Sequence, residues 1–298
     1  ASLRAGNPER AVESVELALR FSELAGNEGS LIGLLVQIAQ GDLILGPIYD
    51  GLRHREWDRE QLGVLCELLA DSDMGSRVGR AIRFELIHGM AAFEHSREAS
   101  TEDLAQLIDP LVDPGSVSRD GWLMVTWYRL LPDGWISQTK AEHLGNTTEW
   151  FLDPICRDGF VQAPIAREHL RPRPPNISNL PSSQSLHTYL DVRERAALAQ
   201  SSLLMASVAC RLELYKAETG EYPQSLVELG EVTPVDPLSG EAFGFEPTSD
   251  GRYKLWSVGL DRVDDGGQVV SSYGLFIRDE GDLVWGYSPE ALGLRPKL

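Results

Sequence analysis

Asp191–Pro223, DVRERAALAQSSLLMASVACRLELYKAETGEYP, is the stretch whose reading decides the fold. Val192, Ala196, Ala199, Leu203, Ala206, Cys210 and Leu214 recur at spacings of three and four. That spacing makes one apolar stripe along a helix of about six turns, amphipathic rather than apolar all round. The stripe starts with small residues and grows bulkier towards Leu214, so its second half should pack hardest. Gly220 supplies the stop and Pro223 prevents continuation. Beyond it the pattern changes to alternation. Gly240–Phe245 and Arg252–Val258 read as short antiparallel strands around the turn signal Ser249-Asp250-Gly251, with Asp282–Trp285 as a last strand. A long helix followed by a small meander predicts an α+β unit whose sheet lies on the helix stripe.

Working back towards the N-terminus, residues 171–187 are rich in proline and serine and read as an extended linker. Residues 1–170 before it form an all-α antiparallel helical domain, and residues 188–298 the α+β module. Asn7-Pro8-Glu9 is a helix start, with Asn7 as cap and Pro8 in the first turn, and Ala11, Val15, Ala18 and Leu19 mark its buried face. A more apolar helix follows over 29–54. Asp58 with Gln61 forms a capping box for a third over 58–70, and a fourth covers 74–97. The apolar run Leu31–Tyr49 is broken by Gln37, Gln40 and Asp42 and is read as a buried helix, since a membrane span needs about 20 mostly apolar residues. Ala1-Ser2-Leu3-Arg4 already lies in a helical pattern, with no methionine and no signal peptide. Contact with a membrane is therefore expected only through an anchor in a preceding segment.

The chain has 298 residues, 42% hydrophobic, with 45 acidic against 27 basic residues and a formal charge of −18. This suits one large or two ordinary folded domains and excludes a disordered chain or a fibrous rod. The charge opposes nucleic acid and anionic lipid as partners. Cys66, Cys156 and Cys210 are too few and too scattered for a disulfide framework or a CxxC metal site. Cys66 and Cys210 read as small core residues.

The chain resembles known families in two places. Gly6-Asn7-Pro8-Glu9-Arg10-Ala11 with Ala18-Leu19 looks like one helix of a tetratricopeptide repeat. No second copy follows at a period of about 34 residues, so a generic helical hairpin is the expectation. The C-terminal third carries a longer pattern. Leu214-Tyr215-Lys216 leads to Thr219-Gly220-Glu221-Tyr222-Pro223, then Val235-Asp236-Pro237-Leu238-Ser239-Gly240, then Tyr253-Lys254-Leu255-Trp256-Ser257-Val258-Gly259-Leu260-Asp261. This order resembles the major pseudopilin of type II secretion systems, over residues 190–285. The resemblance implies a long helix packed on a small antiparallel sheet. It also implies Ca²⁺ bound in the loop after the last of these strands, through carboxylates and backbone carbonyls. Asp261 and Asp282 match aspartates of the family, and Asp264 and Asp265 stand in the acidic loop between them. Two departures accompany the match. Val269–Ile277 is an apolar insertion that predicts an extra strand, and the helix follows a large helical domain instead of a short leader. Assembly into a filament by the usual pseudopilin route is not expected. The resemblance implies a bacterial envelope protein working outside the cytoplasm.

Other constellations point elsewhere. Glu85-Leu86-Ile87-His88 is an E-x-x-H motif of the kind that supplies metal ligands in helical bundles, and His88 and His95 lie seven residues apart. No second copy accompanies it, and His54, His143, His169 and His187 are isolated. Trp122, Trp127, Trp135 and Trp150 cluster between residues 119 and 160, among expected helices near 119–131 and 138–157. They read as core, or alternatively Trp122, Trp127 and Trp135 line a ligand pocket. No nucleophile elbow, P-loop or dinucleotide fingerprint occurs. Three readings stay open: a non-enzymatic interaction or scaffolding protein with a structural Ca²⁺ and an unidentified protein partner; a peptide or small-molecule binder using the tryptophan pocket; and a metal-dependent hydrolase using Glu85 and His88.

Overall fold

Helix α1 (Pro8–Asn27) starts as its sequence requires: the Asn7 side chain accepts the Arg10 N–H and Pro8 fills the first turn. Helix α2 (Leu31–His54) is capped by Ser30, whose side chain accepts the Gly33 N–H. Helix α3 (Arg59–Ala70) opens on the expected capping box, Asp58 and Gln61 each accepting the other's backbone N–H. Helix α4 (Met74–His95) follows. The computed structural model describes residues 7–71, 73–95, 132–153, 155, 180–230, 233–249, 251–272 and 275–286, with Ser100, Asp103 and Leu130 besides. Helix α5 (Asp133–Thr147) runs into a π-helical turn, Thr148–Leu152, which sets Phe151 in the core edge-on to Tyr189. The helix expected near 119–131 lies outside the described residues.

The long helix α6 spans Leu180–Thr219. Residues 180–187 are therefore helix, not linker. Pro181 falls in the first turn, where its missing N–H costs nothing, so the proline does not break the helix as an interior one would. The stripe expectation was also too narrow. Met205, Val208, Ala209, Leu212, Ser201 and Ser207 are buried along with Leu203, Ala206 and Cys210, whereas Leu214 is only partly covered. The reason is tertiary: α6 packs against α2, α3 and α4 as well as the strand Tyr253–Ser257. One hydrophobic cluster runs from Ala11 on α1 through α6 to Leu255 in the sheet. Among the described residues, the helical part and the α+β part share that core.

The architecture is α+β, helix-rich with a small antiparallel sheet. Strands β1 (Gly244–Pro247) and β2 (Tyr253–Ser257) form the expected hairpin, and β5 (Leu283–Val284) pairs with β2, giving the order β1-β2-β5. Gly244 faces Trp256 across the hairpin, and a Cβ at Gly244 would lie inside the indole. The apolar insertion yields two strands, not one: β3 (Val269–Ser272) and β4 (Leu275–Gly281) pair as a separate hairpin. Helix α6 ends at Gly220 in a left-handed conformation, and Ser225 and Glu228 then cap the 3₁₀ turn Leu226–Leu229. Lys216 stands over the Tyr222 ring at 3.9 Å, and the Tyr215 hydroxyl donates to Glu228 at 2.9 Å.

Candidate functional site

The acidic loop after β2 is organised by one buried carboxylate. Asp282 is fully buried, and its Oδ2 accepts the backbone N–H groups of Asp265, Gly267 and Gln268 at 3.1, 2.6 and 3.3 Å. Its own N–H donates to the Gln268 carbonyl at 2.8 Å. Its second oxygen, Oδ1, is buried with no hydrogen-bond partner. Burial, with a smaller push from the charge of Asp264, raises the Asp282 carboxyl above the ordinary carboxylate range. A buried oxygen left unpaired is costly, so it marks a position where a further donor or a cation would be stabilising.

Asp261 bridges the two ends of the loop. Its Oδ2 accepts the Gly281 N–H at 2.8 Å and its Oδ1 the Val263 N–H at 3.1 Å. The ends meet closely: a Cβ on Gly259, which has φ 69°, would lie against the Gly281 carbonyl, so both space and backbone require glycine there. Asp264 Oδ1 accepts the Trp256 indole N–H at 2.9 Å and the Gly266 N–H at 3.0 Å. The indole hydrogen bond comes first in holding its carboxyl below the usual range. Asp265 contributes its backbone N–H to Asp282, while its side chain is exposed. Lys254 reaches the same loop, its ammonium donating to the Gly266 carbonyl at 2.6 Å.

The four expected aspartates thus share one loop but act separately, three of them as acceptors for backbone or indole N–H groups. Among the described residues, no three His, Cys, Asp or Glu side chains converge on a common point. A calcium ion here would draw most of its roughly six to eight oxygens from backbone carbonyls, with Asp282 Oδ1 as the buried anionic one. In donor chemistry the loop fits such an ion, because carboxylate and carbonyl oxygens are what hard cations take.

The other constellations separate. Glu85 turns to the start of α2, its Oε1 accepting the Leu31 N–H at 3.2 Å. His88 is exposed, stacked on Phe84 at 4.0 Å with Nδ1 at 3.0 Å from the Phe84 carbonyl. Trp135 stands 41% exposed in the first turn of α5, and Trp122 and Trp127 lie outside the described residues. Cys66 and Cys210 are free, buried and in contact through their thiols, as core residues of α3 and α6.

Two buried polar residues carry more than their sequence context announced. Asp236 is almost wholly buried. Its Oδ1 accepts the Leu238 N–H at 2.9 Å and the Ser201 hydroxyl at 3.3 Å, and its Oδ2 accepts the Val258 N–H at 3.1 Å. It ties α6, the Asp-Pro turn and the end of β2 together, and burial raises its carboxyl above the ordinary range. The Asp-Pro turn was the available signal, though it announces a turn rather than a hub. His143 on α5 is buried beside Tyr189 with Nδ1 unpartnered, and burial lowers its imidazole below the usual value. An isolated histidine carries no signal of that kind.

No protein-family model matches the chain, and neither a curated protein nor a solved structure matches it.

Proposed function

We propose that the chain is a non-enzymatic interaction or scaffolding protein of the bacterial envelope, working outside the cytoplasm, with a pseudopilin-like C-terminal part stabilised by Ca²⁺. The observation that carries this reading is the buried Asp282 carboxylate. One of its oxygens gathers three loop N–H groups while the other has no partner. A cation on that oxygen would neutralise the charge that burial penalises and would lock the loop between β2 and β5. The chain's own residues do the rest. Asp261 pins Gly281 and Asp264 holds the Trp256 indole. Free calcium at millimolar levels is a feature of extracytoplasmic fluids, which agrees with the location.

Thermal unfolding in EGTA, in millimolar Ca²⁺ and in millimolar Mg²⁺ tests the reading. Calcium at about 100 times its Kd adds roughly 2.7 kcal/mol to the folded state. For a cooperative unit of this size that corresponds to a rise of roughly 4–5 °C. Asp282→Asn keeps an acceptor for the three N–H groups and removes the charge. The variant should hold its melting point in EGTA and lose the calcium shift. A native protein that melts identically in all three solutions overturns the calcium reading.

A further inference from the structure

Among the described residues, the α1–α2 hairpin carries an apolar surface that the fold leaves exposed. On α1, Leu17, Phe21 and Leu24 are 56%, 56% and 66% exposed; on α2, Ile32, Val36 and Leu43 are 72%, 42% and 76% exposed. The α1 residues recur at i, i+4 and i+7. On α2, Ile32, Val36, Ala39, Leu43 and Gly46 follow a 4-3-4-3 spacing, the period of a helix-pairing seam. The buried face of α1 (Ala11, Val15, Ser22, Gly26) and that of α2 (Leu34, Gln37, Gly41, Ile48) fix the rotation of each helix. With the helices antiparallel and touching at Ser22 and Gln37, both exposed stripes fall on the same side of the pair. Together they make an exposed apolar face about three turns long. The helix α2 reaches a mean hydropathy of 1.6 over its most apolar window, yet only 44% of that window is buried. A helix of that character ordinarily has its whole circumference covered.

Charge decides what covers it. Residues 8–54 hold seven carboxylates against three arginines, and the whole chain carries −18. Glu13 continues the α1 stripe, Glu28 sits at the turn, and Asp42 and Asp50 flank the α2 stripe, all exposed. A second copy would bring these carboxylates against their like, and an anionic bilayer would be repelled in the same way. We infer that this face docks an amphipathic helix of another protein, with an apolar stripe of three to four turns flanked by lysine or arginine. The inference rests on the reading of the chain as an interaction protein but not on the calcium loop, which lies in a different part of the fold.

The test uses a labelled 18-residue Leu/Lys amphipathic peptide, followed by fluorescence anisotropy on the full chain. Saturable 1:1 binding is expected, weakened by salt. Leu43→Glu and Phe21→Glu change exposed side chains, and circular dichroism checks that the fold is kept. Each substitution adds negative charge, so adventitious electrostatic attraction would strengthen, whereas docking on the apolar face should weaken at least tenfold. Unchanged or tighter binding by these variants overturns the proposal. So does equal binding of a Leu/Glu peptide of the same pattern, and so does no saturable binding. Self-association that Leu43→Glu abolishes would assign the face to a second copy, and binding to phosphatidylcholine vesicles lost in the same variant would assign it to a lipid surface. Either result overturns the inference without touching the calcium titration, and a failed calcium titration leaves the peptide result standing.

Discussion

At the scale of the residue, burial gives a few polar side chains their weight. Asp236 and Asp282 are ordinary aspartates in sequence, and Asp261, Asp264 and Asp265 make a more conspicuous acidic run. In the fold the conspicuous ones stay exposed, while Asp282 and Asp236 become hubs for backbone N–H groups. The motif match singled out Asp282 by its position in the sequence alone. It could not reveal that one of its oxygens would be left unpaired, because that depends on the depth of the β2–β5 pairing above it. His143 shows the same effect with the opposite charge. Its imidazole is held neutral by burial between α5 and Tyr189, whose own hydroxyl is pushed up to about 12 by burial and stays protonated. Since the folded-state value lies below the unfolded one, about 6.5, the contribution of His143 is fully present above that pH. It is lost as pH falls through the folded value. Urea unfolding between about pH 5 and 7.5 should therefore show a decline on acidification that His143→Gln reduces relative to native. An identical pH slope in both proteins would remove His143 as its source.

At the scale of the element, local rules account for where helices and strands begin and end. Asn7 and Asp58 cap the helices their positions announce, Ser30 caps α2, and Gly220 ends α6. The β1–β2 hairpin forms in the expected place, and its key pair is Gly244 opposite Trp256. Only glycine leaves the indole lying flat across the strand, where its N–H reaches Asp264. Gly244→Ala should displace the ring and cost roughly 1–3 kcal/mol, as overpacking does. Denaturant unfolding measures the loss, and a variant as stable as the native protein would sink this account. Two element-level expectations missed for identifiable reasons. Composition over residues 171–187 suggested an extended linker, yet helix begins at Leu180 because a first-turn proline is harmless. The Val269–Ile277 run suggested one added strand, whereas backbone pairing divides it into a hairpin of its own. An apolar run gives strand character but not the position of the turn within it.

At the scale of the whole molecule, the long helix joins what the sequence seemed to divide. Leu203 is buried in α6, and Ser207 on the same helix donates to the Cys66 carbonyl on α3 at 2.9 Å. Gln200 accepts the Met74 N–H at 2.8 Å, and Ser201 donates to Asp236 in the α+β part. With one core through both parts, calorimetry should record a single cooperative transition. Leu203→Ala should cost roughly 2–5 kcal/mol and lower that transition as a unit. Two resolved transitions, only one of them moved by the substitution, would show that the parts fold apart. The sequence by itself determined the helix caps, the stripe and stop of α6, the β1–β2 hairpin and the acidic loop, because each depends on residues near one another along the chain. Only the tertiary structure decided that α6 is covered on several sides, that Asp236 and Asp282 are buried, and that one face of the α1–α2 hairpin is exposed among the described residues. Those outcomes depend on which surfaces distant segments bring together, and periodicity records that a face is apolar without recording what meets it.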